Sequence, residues 1–269
     1  MTRFADLPNG LTAELQEGVL TLTLDRPDRL NSLTFDVYKR LEQLFAELQD
    51  EDDVGVVVLT GAGKGFCSGG DVHEIIGSLI DAPAEDVTRF ARMTGAVIRN
   101  MRRLRKPVIS AINGTAAGAG AVLALASDFR IAAAGSKIAF LFTKVGLTGA
   151  DMGAAYLLPR VVGLGRATEL LMHGDSVDAI DAERIGLVHR VVTAAELMQA
   201  ARDEARRLLE GPRFALGMTK ELLNNALSMD LDTALDAEAR AQTICMMGAD
   251  FREFHAAYVD GRKPRFGSK

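Results

Sequence analysis

The sequence predicts an α/β protein: a core of strand–loop–helix units followed by a tail of helices alone. Two stretches carry the first half of that statement. Residues 54–60 (VGVVVLT) and 107–112 (PVISAI) are short, continuously apolar and rich in β-branched residues, and each runs into a glycine-rich loop and then a helix. An unbroken apolar run of that length suits an interior strand covered on both faces. The third observation is a change of pattern near residue 194, after which helical periodicity replaces strands. It divides the chain into a core over 1–193 and a helical region over 194–269.

Taken in order, Leu11–Gln16 and residues 19–25 alternate apolar and polar positions around Glu17-Gly18, the pattern of a β-hairpin. Residues 26–33 form a loop. Phe35, Tyr38, Leu41, Leu44, Phe45 and Leu48 recur at helical spacing behind Thr34, a suitable N-cap. After the strand at 54–60 comes the loop 61–71 (GAGKGFCSGGD), with a helix expected from Val72 and a long amphipathic helix over 85–105. The latter ends in Arg99, Arg102, Arg103, Arg105 and Lys106, a cluster expected to be a solvated face.

The strand at 107–112 leads through Asn113-Gly114-Thr115-Ala116-Ala117-Gly118 into a segment of almost only Ala, Leu and Val, which suits a helix buried on all sides. The first backbone amides of such a helix lack intrahelical partners, and with the dipole behind them they suit an oxygen that becomes negative during a reaction. The same small residues also suit plain close packing of helix on sheet. Short strands follow at 129–133 and 137–142, and a helix at 151–158 that Pro159 should stop. Helices at 167–173 and 179–185 and a strand at 187–192 close the core. Helices at 195–210, 212–226, 231–247 and 250–259 make up the rest.

Composition narrows the classes. The 269 residues are 48% hydrophobic and 25% charged, with a net charge of −5. No Lys/Arg run offers the footprint that nucleic acid requires. Cys67 and Cys245 make no disulfide framework, and no apolar run reaches the about 18 residues of a membrane span. The expectation is a soluble cytoplasmic protein with no nucleic-acid or membrane partner. His173, His189 and His255 lack metal-ligand spacing, so no metal is expected.

Several motifs in fixed order resemble the crotonase, or enoyl-CoA hydratase/isomerase, family. They are Arg26-Pro27 with Leu30-Asn31-Ser32-Leu33, Gly65-Phe66-Cys67-Ser68-Gly69-Gly70-Asp71, and Lys106-Pro107 with Ala111-Ile112-Asn113-Gly114. Gly118-Ala119-Gly120, Asp128-Phe129-Arg130-Ile131-Ala132, Leu158-Pro159-Arg160 and Gly186-Leu187-Val188 continue the set over nearly the whole chain. The resemblance implies a crotonase-like spiral of ββα units with a C-terminal helical trimerisation region, in a homotrimer or a dimer of trimers. It implies an acyl-CoA substrate and no cofactor beyond the coenzyme A that the substrate carries. It places the two thioester-holding backbone amides at Ser68 and Ala119. It puts CoA along Arg29, Leu30 and the Ser68-Gly69-Gly70-Asp71-Val72 loop, with Gly118 and Phe142 beside the acyl group. Lys263, or Arg262, would reach a neighbour's nucleotide, an ordinary charged tail being the alternative.

Hydratases of the family use two glutamates, and here Val122 occupies the first position and Phe142 (or Thr143) the second. Asp151 falls where the dienoyl-CoA isomerase branch carries an acid, although it would equally cap a helix beginning at Met152. One carboxylate favours double-bond isomerisation or an unconventional hydration. Thioester hydrolysis, decarboxylation and silent acyl-CoA binding are the alternatives. Cys67 is not expected to be a nucleophile, and His73 and Glu74 are expected at a surface helix start.

Overall fold

A computed structural model describes residue 4 and residues 6–267. Among the described residues ten strands form two sheets. β1 (Leu11–Gln16), β2 (Val19–Leu24), β3 (Val56–Gly61), β5 (Val108–Ile112), β7 (Phe129–Ala133) and β10 (Arg190–Val192) make a six-stranded sheet in the order β1-β2-β3-β5-β7-β10. β1 pairs antiparallel to β2 and the other neighbours are parallel. The second sheet has four strands of three residues each, β4 (Gly65–Cys67), β6 (Thr115–Ala117), β8 (Lys137–Ala139) and β9 (Ser176–Asp178), in the order β4-β6-β8-β9. The chain therefore winds from sheet to sheet, β3 to β4, β5 to β6 and β7 to β8, which is the spiral of ββα units.

The continuous apolar strands are explained by cover on both faces. Val57 and Leu59 of β3 point into the main core, with Leu41 and Phe45 of α1 (Phe35–Glu47) and Val97 and Met101 of α2 (Ala84–Arg103). Val56 and Val58 point the other way, into a second cluster with Leu197, Ala200, Ala201 and Ala205. Thr34 caps α1 by accepting the Val37 amide at 3.3 Å.

α3 (Ala119–Ala126) packs on β4 and β6, with every residue buried. Its small side chains are a steric requirement. A Cβ on Gly120 would stand 2.2 Å from the Cys67 carbonyl oxygen, so backbone and helix meet with no side chain between them. Further on come α4 (Ala154–Val162), α5 (Leu164–His173) and α6 (Ala179–Arg184). The C-terminal stretch holds α7 (Leu197–Leu209), α8 (Arg213–Ala226), α9 (Leu231–Met247) and α10 (Ala249–Val259). The four buried side chains that fill the second cluster come from α7, so the first helix beyond residue 193 packs on the sheet. α9 and α10 instead leave Leu231, Leu235, Met247, Phe251, Phe254 and Tyr258 exposed.

Three expectations are corrected and a fourth is qualified. The four-stranded sheet is absent from the sequence reading except for β8, because three residues carry no legible period. The strand expected over 137–142 ends at Ala139 and passes into a 3-10 turn, Leu141–Val145. Pro159 lies inside α4, which runs on to Val162. The basic cluster is a solvated face at Arg99, Arg103 and Arg105, which are exposed, and is tied down elsewhere: Arg102 pairs with Asp128 at 3.2 Å and Lys106 donates to the Leu48 and Glu51 carbonyls, while the exposed Arg105 pairs with Glu221 at 2.9 Å. Among the described residues no helix is long and apolar enough to cross a membrane.

Gly120→Ala tests the contact between α3 and β4. The added methyl improves helix propensity by about 1 kcal/mol but meets backbone that cannot yield cheaply, so the net expectation is a loss of about 2 kcal/mol. Chemical denaturation should show a lower midpoint than the parent.

Candidate active site

Two loops meet where α3 begins. One follows β4 and contains Ser68, Gly69 and Gly70; the other follows β6 and contains Gly118 and Ala119. They touch: a Cβ on Gly118 would lie 3.8 Å from the Gly69 Cα, and one on Gly69 would lie 3.6 Å from the Ala119 nitrogen.

Ser68 does not offer the free amide that the sequence reading assigned to it. Its N–H donates to the Leu30 carbonyl at 2.9 Å, and its hydroxyl to the Arg29 carbonyl at 3.3 Å. Gly69 has φ +104, a conformation that suits glycine, and its own amide is directed at the Cys67 sulfur. That turn breaks the usual alternation of a strand. The Gly69 carbonyl and the Asp71 amide both face Leu33, accepting and donating at 2.8 and 2.9 Å, so the Gly70 amide between them points away from Leu33. Among the described residues the Gly70 amide has no acceptor. Ala119 is the first residue of α3, and its amide has none either. Gly70 and Ala119 are unspent donors on the two sides of the junction, and Gly120 and Ala121 in the first turn of α3 also have no acceptor among the described residues.

Around them the chemistry is sparse. Val122 is buried in the core and Phe142 is buried with its ring edge 3.9 Å from where a Gly118 Cβ would be, so both glutamate positions are apolar. Thr143, the other candidate for the second position, has its buried hydroxyl against Gly174. The Cys67 thiol is wholly buried, and burial pushes it up to about 12, which leaves it un-nucleophilic.

Asp151 is the carboxylate that remains, and it is not a helix cap. Met152 and Gly153 both have left-handed backbones, φ +50 and +89, and α4 starts only at Ala154. Asp151 Oδ1 accepts the Met152 amide at 2.8 Å. Burial raises its carboxyl above the ordinary range, and the Met152 amide opposes this only partly. A left-handed non-glycine residue costs about 1 kcal/mol or more, here borne by a buried Met152 beside the acid. A cavity of about 680 Å³ lined by Ile98, Met152, Gly153 and Leu157 opens beside this turn, and neither Gly70 nor Ala119 lines it.

Asp71 is a further correction. It is buried and bound inward: Oδ1 accepts the His73 and Glu74 amides at 3.1 Å, and Oδ2 accepts Arg26 and Ser32 at 3.0 Å. The Glu74 amide, then Ser32 and Arg26, hold its carboxyl down to about 2 against a lesser rise from burial. It anchors the loop and is not available to a ligand. Asn31, which no chemical role pointed to, completes the anchor: its Nδ2 donates to the Ala62 and Gly65 carbonyls at 2.9 and 2.7 Å, and its Oδ1 accepts the Arg26 amide. Arg29, Leu30 and Val72 lie exposed on the outside of the same loops. His73 and Glu74 are at the surface, where Glu74 accepts the Phe35 amide at 3.0 Å. Lys263 lines a shallow basic cleft with Arg262 and Arg265, Arg262 being paired with Glu253 at 2.6 Å. Among the described residues no group of three or more His, Cys, Asp or Glu could hold a metal ion.

Residues 14–269 match the family model described as "Enoyl-CoA hydratase/isomerase". The chain belongs to the enoyl-CoA hydratase/isomerase family. It is 38% identical over 262 residues to 1,2-epoxyphenylacetyl-CoA isomerase of Escherichia coli K12, covering 96% of this chain and 98% of that one. It is 32% identical to the short-chain-enoyl-CoA hydratase of Clostridium acetobutylicum over 95% of this chain and 96% of that enzyme. The crystal structure of a Streptomyces coelicolor A3(2) protein superposes with a TM-score of 0.95 at 50% identity, over 100% of both chains. The protein is thus an enzyme of hydratase/isomerase type with the crotonase fold.

The Asp71 anchor predicts an acid-sensitive loop. Its folded-state value of about 2 lies below the ordinary 3.8, so the group stabilises the fold above about pH 4 and that contribution fades as the pH falls toward 2. It amounts to about 2 kcal/mol. Asp71→Asn should be less stable than the parent at pH 7 by about that amount, and the two should converge near pH 2 in denaturant titrations.

Proposed function

We propose that the protein moves a double bond along an acyl-CoA thioester, with the thioester oxygen held by the Gly70 and Ala119 amides and the proton carried by Asp151. The observation that carries this reading is the single carboxylate of raised pKa in a site whose two usual acid positions are Val122 and Phe142. Hydration by the family's usual route employs two acids, one for the water and one for the carbon. Migration of a double bond needs one group used twice. The Asp151 carboxylate takes a proton from C2 of a 3-enoyl thioester, the electron pair is delocalised onto the thioester oxygen, and the same carboxylic acid returns the proton at C4. The product is the 2-enoyl isomer and Asp151 is a carboxylate again.

The negative oxygen of the intermediate lies between two amides. Each donor of this kind is worth about 3 kcal/mol when it is fixed in place beforehand. The helix dipole of α3 acts in the same direction at Ala119. On this reading CoA lies along the exposed side of Arg29, Leu30, Gly69 and Val72. The exposed apolar side chains of α9 and α10 pack on sister subunits in a trimer or a dimer of trimers, and Lys263 approaches a neighbour's nucleotide.

The deciding experiment incubates the protein with short and long 2-enoyl-, 3-enoyl- and dienoyl-CoA and follows products by mass and absorbance. Double-bond migration supports the proposal; water addition or release of free CoA instead would overturn it. Asp151→Asn should lower turnover at least a hundredfold with thermal stability little changed. The pH profile of kcat/KM should rise on its acid side as Asp151 ionises, with a midpoint above the ordinary 3.8 because burial raises the group, and Asp151→Asn should abolish that limb. Ala119→Pro removes one amide at the first helical position, where proline is tolerated, and should cost a hundredfold or more in kcat while α3 remains folded by circular dichroism.

A further inference from the structure

Tyr38 stands on α1 with its ring edge-on to Phe90 of α2, centroids 5.6 Å apart and planes at 89°. The residue is 3% exposed. A Cβ placed on Gly70 would lie 3.7 Å from Tyr38 Oη, so the hydroxyl adjoins a residue that supplies an unspent amide. Among the described residues Oη neither donates nor accepts a hydrogen bond. It differs from the Thr143 hydroxyl, which is sealed and unpartnered, in that it still reaches open space.

Burial, with Cys67 and then the Asp151 charge adding to it, holds the phenol well above its ordinary range. At neutral pH it is therefore a neutral donor, and Asp151 is near enough to be felt. A buried donor facing a pure hydrocarbon chain stays unpaired, and that costs free energy. A pocket built to donate a hydrogen bond discriminates strongly against ligands that lack the acceptor, whereas one without the donor gains little from it.

We propose that Tyr38 Oη donates a hydrogen bond to an oxygen carried on the acyl chain of the bound thioester, so that the pocket selects acyl groups bearing a hydroxyl or carbonyl within a few bonds of the thioester over plain hydrocarbon chains. The proposal rests on the reading of Gly70 and Ala119 as the thioester site, and it adds the substrate class to that reading.

Binding, not turnover, tests it, because binding does not depend on which reaction follows. Saturated acyl-CoA and the matching 3-hydroxy- and 4-hydroxyacyl-CoA are titrated by calorimetry into the parent and into Tyr38→Phe, which keeps the ring on Phe90. Thermal unfolding of both proteins checks that the core is unchanged. The parent should bind at least one hydroxyacyl-CoA about tenfold more tightly than the saturated chain, and Tyr38→Phe should lose that preference while holding the saturated chain as well as before or better. Equal affinity for all three ligands in the parent, or a preference that survives in Tyr38→Phe, would overturn the role of Tyr38 and leave the thioester site standing. Failure of every thioester to bind the parent would overturn both. A Tyr38→Phe protein that loses all three ligands equally would show that the residue serves packing alone.

Discussion

One contact governs the rest of the molecule: the backbone of β4 against the start of α3, with nothing between the Cys67 carbonyl and Gly120. Helix and strand approach this closely only if the helix face is bare, and that requirement explains the Gly-Ala composition of residues 118–121. The approach brings Gly69 and Gly118 into contact and sets two loops, far apart in sequence, side by side. Each loop then contributes an amide for a different reason. Ala119 is unspent because a helix begins there, and Gly70 because the left-handed Gly69 reverses the direction of the strand's donors.

Such an arrangement has to be held still to be useful, since its donors stabilise a charge only if they need not move toward it. The holding is done by charges and amides underneath. Arg26, Ser32 and Asn31 link the 26–33 loop to Ala62, Gly65 and Asp71 of the 61–71 loop through hydrogen bonds of 2.7 to 3.0 Å. Asn31 has φ +58 and Leu30 φ +48, a strained pair that persists because both sides of the loop are pinned. The polar residues of these loops look like ligand contacts in sequence. Their hydrogen bonds are internal, which leaves main-chain groups as the free donors at the junction.

That division explains what the sequence could and could not convey. Strands buried on both faces and amphipathic helices announce themselves by period, and β3, β5, α1 and α2 were legible for that reason. β4, β6 and β9 were not, since three residues have no period, and their pairing is decided by partners about 40 to 50 residues away. The identity of the first amide failed for a related cause. Ser68 and Gly70 are equally plausible donors in one dimension, and only the Leu30 carbonyl, which accepts from Ser68, separates them. Asp151 was found through its position, but Met152 hid the turn, because a methionine gives no sign of adopting a left-handed backbone where a glycine would have. Tyr38 was legible as a core residue of α1 and silent as anything else, because an unpaired hydroxyl is a property of its surroundings.

The electrostatics of the site depend on what is missing as much as on what is present. Two carboxylates facing one small apolar space raise each other's pKa, and a site with both can divide the tasks of acid and base between them. With Val122 and Phe142 in place of those acids, Asp151 answers to burial and to one amide, and its raised value follows from desolvation alone. A carboxylate raised by burial is a better base than an exposed aspartate. No second carboxylate stands at the Val122 or Phe142 position to share the work with it. On the proposed reading, a thioester enolate formed beside this one carboxylate is left with the outcome in which the proton that leaves is the proton that returns.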